Sequence, residues 1–210
     1  MQKSEQVSPY FLYNLERFRI FVELSTRNWK EESIKYYQSE IETDEGTCWD
    51  RYKYRTDLSA HFNEIFPQYQ KQSYLLMLVS LFEDYLNQLC NSLHFENEFC
   101  CSLKEYSGSG IERAKKYLVK IANITVPTGT KGWSQIIDAR DIRNIIAHNA
   151  GHLDQEFHKK QMKIVSKSQH LNSEQYARIH LNIENEYLLE VIGAMEEVAK
   201  VLWDEIKTNA

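Results

Sequence analysis

The sequence predicts an all-α fold: a helical bundle with long antiparallel helices and a small β-hairpin before the last helix. Two observations carry the helices. Apolar residues recur at three- and four-residue spacings over long stretches, the period of a helix that buries one side. Only 7 Gly and 3 Pro occur in 210 residues, too few for a turn-rich β protein. The third observation, patchy alternation between residues 162 and 181 at Ile164, Val165, Tyr176, Ile179 and Leu181, predicts the hairpin.

The elements follow in chain order. Phe11, Leu12, Leu15, Phe18, Phe21 and Leu24 recur near helical spacing and predict one or two helices over residues 9–40. Residues 40–50 are acidic, interrupted by Gly46, and read as a loop. Residues 51–66 read as a weaker helix that ends before Pro67, because a proline disfavours helix in the residue preceding it. Residues 68–95 make the strongest helix, so rich in Leu, Val and Phe that it must be buried on several sides. Ser107 to Gly110 break the chain, and a helix over 111–124 follows. Thr128 to Gly132 lack the spacing of a phosphate loop and read as a connector. A helix over 133–148 ends at Asn149 and Gly151, both residues that accept helix-terminating geometry. The last helix, 183–206, carries Tyr187, Leu188, Val191, Ile192, Met195 and Val198 at helical spacing. Residues 1–210 are read as a single domain, with 1–69 an N-terminal helical part.

Charge and cysteine content narrow the function classes. Lys and Arg total 25 against 30 Asp and Glu, a formal net charge of −5, which argues against a broadly basic, sequence-blind nucleic-acid binder. A local RNA cleft is compatible with it. The start, Met1–Pro9, is polar, and the longest strongly apolar run, Leu75–Phe82, is far too short to span a bilayer. Cys48, Cys90, Cys100 and Cys101 form no CxxC pair and read as reduced thiols. The expectation is a cytoplasmic protein without a membrane partner.

One segment concentrates the chemistry. Between Asp141 and Asn149 an amphipathic helix carries Arg143, Asn144 and His148 beside Ile142, Ile145 and Ile146. Arginine grips phosphate in a bidentate way, and histidine is the side chain suited to moving protons near neutral pH. Together they point to phosphodiester chemistry without a metal. On an ideal helix Asn144 and His148 share a face, whereas Arg143 and His148 diverge by roughly 140°. A zinc site at His148, His152 and His158 is disfavoured, since Gly151 interrupts the helix and no Glu follows His148.

Arg143, four intervening residues and His148, with Asn144 directly after the arginine, resembles the signature of the HEPN superfamily. The likeness extends over roughly residues 70–206, and the short motif is its specific part. It implies an α-helical, dimeric fold and a metal-independent ribonuclease of toxin–antitoxin, phage-defence or RNA-processing type. It implies a homodimer through the motif helix, which places Arg143 of one protomer near the His148 of the other. His148 would then move the 2′-OH proton, Arg143 would neutralise the phosphate and Asn144 would orient it, leaving a 2′,3′-cyclic phosphate. No cofactor and no metal are implied. Superfamily members often carry an acidic residue in the preceding helix. Glu83 stands there in an apolar stripe with Leu76, Val79, Leu86 and Cys90, where a carboxylate needs a partner if buried; the resemblance implies that it pairs with Arg143, and the alternative is that it reaches solvent. The sequence departs from superfamily toxins controlled by modification of a tyrosine two positions after the histidine, because Ala150 stands there. Two readings stay open: a ribonuclease toxin or defence effector with an antitoxin or regulatory partner, and a non-catalytic module of the same fold that binds nucleotide, RNA or a partner protein.

Overall fold

The computed structural model describes residues 3–42, 61–175 and 178–209. The expected acidic loop around Gly46, with Cys48, most of the weak helix over 51–60 and Tyr176 of the hairpin lie outside the described residues. Helix α1 (Lys3–Glu42) is a single helix of 40 residues. Its buried positions Ser4, Ser8, Phe11, Leu15, Phe18, Val22 and Ser25 alternate by three and four, which keeps one stripe facing the core. That stripe meets helix α2 (Phe66–Asn97). Ser4 bonds Glu96, Phe11 stacks on Tyr85 with centroids 4.3 Å apart, Phe18 meets Tyr74, and Trp29 meets Phe66. Numbers rise on one helix as they fall on the other, so the pair is antiparallel.

A short π-turn, His61–Ile65, runs directly into α2. Pro67 therefore does not end a helix, as expected from sequence, but stands in the first turn of one, where the missing N–H has no intrahelical acceptor to lose. Leu75, Leu78, Val79, Phe82, Leu86 and Leu89 are fully buried. Each such side chain contributes roughly 1.5–3 kcal/mol relative to exposure. Helix α3 (Gly110–Lys120) packs on α2. Helix α4 (Lys131–Asn149) packs on α2 and on the final helix α6 (Asn185–Asn209).

Between α4 and α6 lie strand β1 (His152–Leu153), helix α5 (Lys159–Lys167), and strands β2 (Leu171–Gln175) and β3 (Ile179–Ile183). The antiparallel sheet has the order β1-β3-β2, with His152 opposite His180 and Leu171 opposite Ile183. The hairpin before the last helix is thus present, but residues 162–167, read as part of it, are helical. Beyond the two residues of β1, the free edge of β3 is completed by side chains of α2. Gln68 donates to the Ile183 carbonyl and accepts from its amide, and Gln72 donates to the Leu181 carbonyl. These amides, one turn apart, answer the pairing requirement of buried backbone. Among the described residues, no helix is long and apolar enough to cross a membrane.

Candidate functional site

The ends of α4 are set by local chemistry. Thr130 caps its start, its hydroxyl accepting from the Trp133 amide at 3.2 Å, as a threonine N-cap does. At the other end Asn149 is the last helical residue, and Ala150 rather than Asn149 takes the left-handed conformation, with φ 50°. The amides of Ala150 and Gly151 both reach back to the Ile145 carbonyl. β1 begins at once, and the Leu181 amide donates to the Gly151 carbonyl at 2.9 Å. The last turn of α4, which holds His148, is therefore tied to the sheet.

Glu83 and Arg143 form the expected pair. Arg143 Nη2 donates to Glu83 Oε1 at 3.0 Å, with side-chain exposures of 20% and 26%. Gly110, at φ +54°, presses against the same carboxylate, and a Cβ there would sit 2.8 Å from Glu83 Oε1. The Ser107–Gly110 break thus lets the positive end of α3 approach a carboxylate, which is favourable for both. Arg143 Nε is buried with no hydrogen-bond partner.

His148 sits on the opposite rim. It is exposed, while Asn144 is half-buried. Arg140, Asn144 and His148 follow one another at four-residue steps along one face. Among the described residues, no hydrogen bond or ion pair joins His148 to Arg143. One chain therefore brings Glu83 to Arg143 and aligns Asn144 with His148, but it does not unite arginine and histidine.

A further ionic group escaped sequence reasoning. Asp141, only 7% exposed, is held by Arg140 at 2.9 Å and by Lys160 of α5 at 2.5 Å. Arg140 also reaches Glu112 at 3.5 Å. The Glu112 carboxyl is held below its ordinary pKa, first by its bond from Lys115. Burial, and then the charge of Asp141, raise the Asp138 carboxyl. The one available signal was its place on the helix, four residues from Ile137 on one side and from Ile145 on the other. Burial pushes the Cys90 thiol up to about 12, so it is inert at neutral pH. Among the described residues, the cluster with ligand atoms within 4.8 Å of one another is His170, Glu184 and Glu186, and His170 Nδ1 is already bonded to Glu184 at 3.0 Å.

No protein-family model, curated protein or solved structure matches the chain. An all-α bundle with long antiparallel helices and a small β-hairpin is consistent with the HEPN superfamily and not specific to it.

Proposed function

We propose that the chain is a homodimeric, metal-independent endoribonuclease of HEPN type, acting as a toxin or defence effector. The observation that supports this best is the split within α4. Arg143 is fixed by Glu83, and His148, five residues on in the last turn, is exposed. A second copy apposed through α4 would supply the missing half, bringing the histidine of one protomer to the arginine of its partner. His148 would take the proton from an RNA 2′-OH, and the twofold copy would return one to the leaving 5′-oxygen. General acid–base transfer of this kind contributes roughly 10²–10⁴-fold, and a fixed cation at the phosphate adds a comparable factor. Asn144, on the His148 face, would orient the phosphate or the ring. DNA, without a 2′-OH, would stay intact.

The second reading, a binding module without catalysis, is favoured by the same pair: a guanidinium already neutralised by Glu83 has less charge to offer a phosphate. An RNA cleavage assay in EDTA separates the two. The ribonuclease reading expects cyclic-phosphate ends from the wild type and none from His148→Ala or Arg143→Ala. A folded wild-type dimer that leaves total cellular RNA uncut, or a nuclease activity that survives His148→Ala, would refute it.

A further inference from the structure

Helix α5 has an unusual face. Its exposed residues are Lys159, Lys160, Lys163, Ser166 and Lys167, and no acidic residue occurs from Phe157 to Lys167. Its apolar side is already used: Val165 is buried, and Met162 and Ile164 pack against the core. Lys160 is paired with Asp141, whereas Lys159, Lys163 and Lys167 form no ion pair among the described residues, Lys167 acting on the Asp138 carboxyl only by its nearby charge. In a chain of net charge −5, a helix with four cations and no anion is where a polyanion can approach. These three lysines stand one turn, about 6 Å, apart along the axis, close to the spacing of successive phosphates in an extended strand.

The turn leading into α5 adds an aromatic. Phe157 is 82% exposed, yet its backbone is fixed. Asp154 Oδ1 accepts from the amides of Glu156 and Phe157 at 2.8 and 3.0 Å, and His158 Nδ1 accepts from the Asp154 amide at 2.9 Å. A ring held in the open, between Glu156 and the lysines that begin at Lys159, is a stacking platform for an unpaired base. The location also fits. Lys160 docks α5 on Asp141, and Asp141 lies seven residues, nearly two full turns, before His148 on the same face of α4.

We propose that Phe157–Lys167 is a docking arm for single-stranded RNA. Phe157 stacks an unpaired base, and Lys159, Lys163 and Lys167 hold consecutive phosphates of the strand that continues to His148. The proposal rests on the ribonuclease reading and supplies its substrate class: unpaired RNA rather than duplex, since a base must be free to stack. An anionic membrane fits the arm less well, because α5 has no free apolar face to enter a bilayer.

The test measures binding of a labelled single-stranded oligoribonucleotide, and of its duplex, by anisotropy in EDTA. All proteins carry His148→Ala so that nothing is cut, and their folding is checked by circular dichroism. Replacing Lys159, Lys163 and Lys167 together by Gln is expected to flatten the slope of log affinity against log salt by about 2, at roughly 0.7 per phosphate on a single strand. Phe157→Ala is expected to weaken single-strand binding about tenfold without changing the slope. Lys116→Gln with Lys120→Gln on α3 is the control and should leave both unchanged. Unchanged affinity and slope in the α5 variant, or a slope that responds to α3 instead, would overturn the arm. So would loss of binding to phosphatidylserine vesicles at constant RNA affinity. If the chain with His148 restored still cleaves RNA in those cases, the ribonuclease reading stands without the arm. A folded chain that neither binds nor cleaves RNA would remove both.

Discussion

The two halves of the α4 polar surface are built for opposite purposes. Around Arg143 the surface is closed: Glu83 from α2 pairs with it, and Gly110 at the head of α3 presses on the same half-buried carboxylate. Around His148 everything is open: the side chain is exposed, and only the backbone beyond it is anchored, through the cap at Ala150 and the bond from Leu181 to Gly151. Two residues five positions apart on one helix thus occupy opposite environments, one paired and half-buried, the other exposed. Arg143 is tied into the fold through Glu83, whereas His148 is exposed, so the proposed chemistry would be all that its removal disturbs.

The largest expected effect separates the two alanine variants. His148→Ala should reduce RNA cleavage by about 10²–10⁴-fold while stability stays within about 0.5 kcal/mol, as for other exposed sites. Arg143→Ala should lose activity and also about 1–3 kcal/mol, because Glu83 is left half-buried without its partner. Paired cleavage assays and urea melts check this. Equal stability losses in the two variants would mean that the halves are not different.

Glu83→Ala tests the closed half alone. It should cost about 1–3 kcal/mol, against a change within about 0.5 kcal/mol for Glu197→Ala, since Glu197 is exposed. Indistinguishable melts would show that the ion pair contributes nothing net, as many partly exposed pairs do.

How much of this was legible from sequence differs between the halves as well. The long helices were readable because three- and four-residue spacing records burial directly. Glu83 stood out because a carboxylate among Leu76, Val79, Leu86 and Cys90 needs a partner if buried, and the family resemblance, not the stripe, pointed to Arg143 as that partner. The open half was harder. Helix α5 was misread as strand: it is short, its adjacent β-branched Ile164 and Val165 mimic a strand, and its lysine face carries no periodic apolar signal. β1 is two residues long and leaves no pattern at all. Asp141 is buried through partners 1 and 19 positions away, and only tertiary structure reveals the second. The same holds for Gly110, whose glycine in a Ser-Gly-Ser-Gly break looked like a plain loop residue but is pressed against Glu83.

Gly110→Ala is the next smaller perturbation. Positive φ costs a non-glycine residue about 1–2 kcal/mol, and the new methyl meets Glu83 Oε1 at 2.8 Å. The clash part should vanish when Glu83→Ala is present, leaving only the backbone part. A double-mutant cycle measures that coupling, and strict additivity would mean that the carboxylate moves aside without cost.

The smallest effect compares two histidines of the sheet region, His152 on β1 and His170 before β2. Burial, then the neighbouring His180 and Arg178, hold His152 below its ordinary value of 6.5. The bond to Glu184 raises His170 above 6.5, with burial opposing it. The signs therefore differ. For His152 the unfolded chain binds more protons between the folded value and 6.5, so its part of the stability is lost as pH falls through that window. For His170 the contribution is full below 6.5 and fades as pH rises through its elevated folded value. Replacing each by Gln and following thermal midpoints from about pH 5 to about pH 8 should give two difference curves of opposite slope. Because His152 faces His180 directly, with ring centroids 4.3 Å apart, acid should loosen the β1–β3 pairing first. That pairing anchors the chain just beyond His148, so the open half of the site would lose its backbone support before the Glu83–Arg143 half is affected. Parallel curves for the two variants would mean that the imidazoles do not sense their different partners.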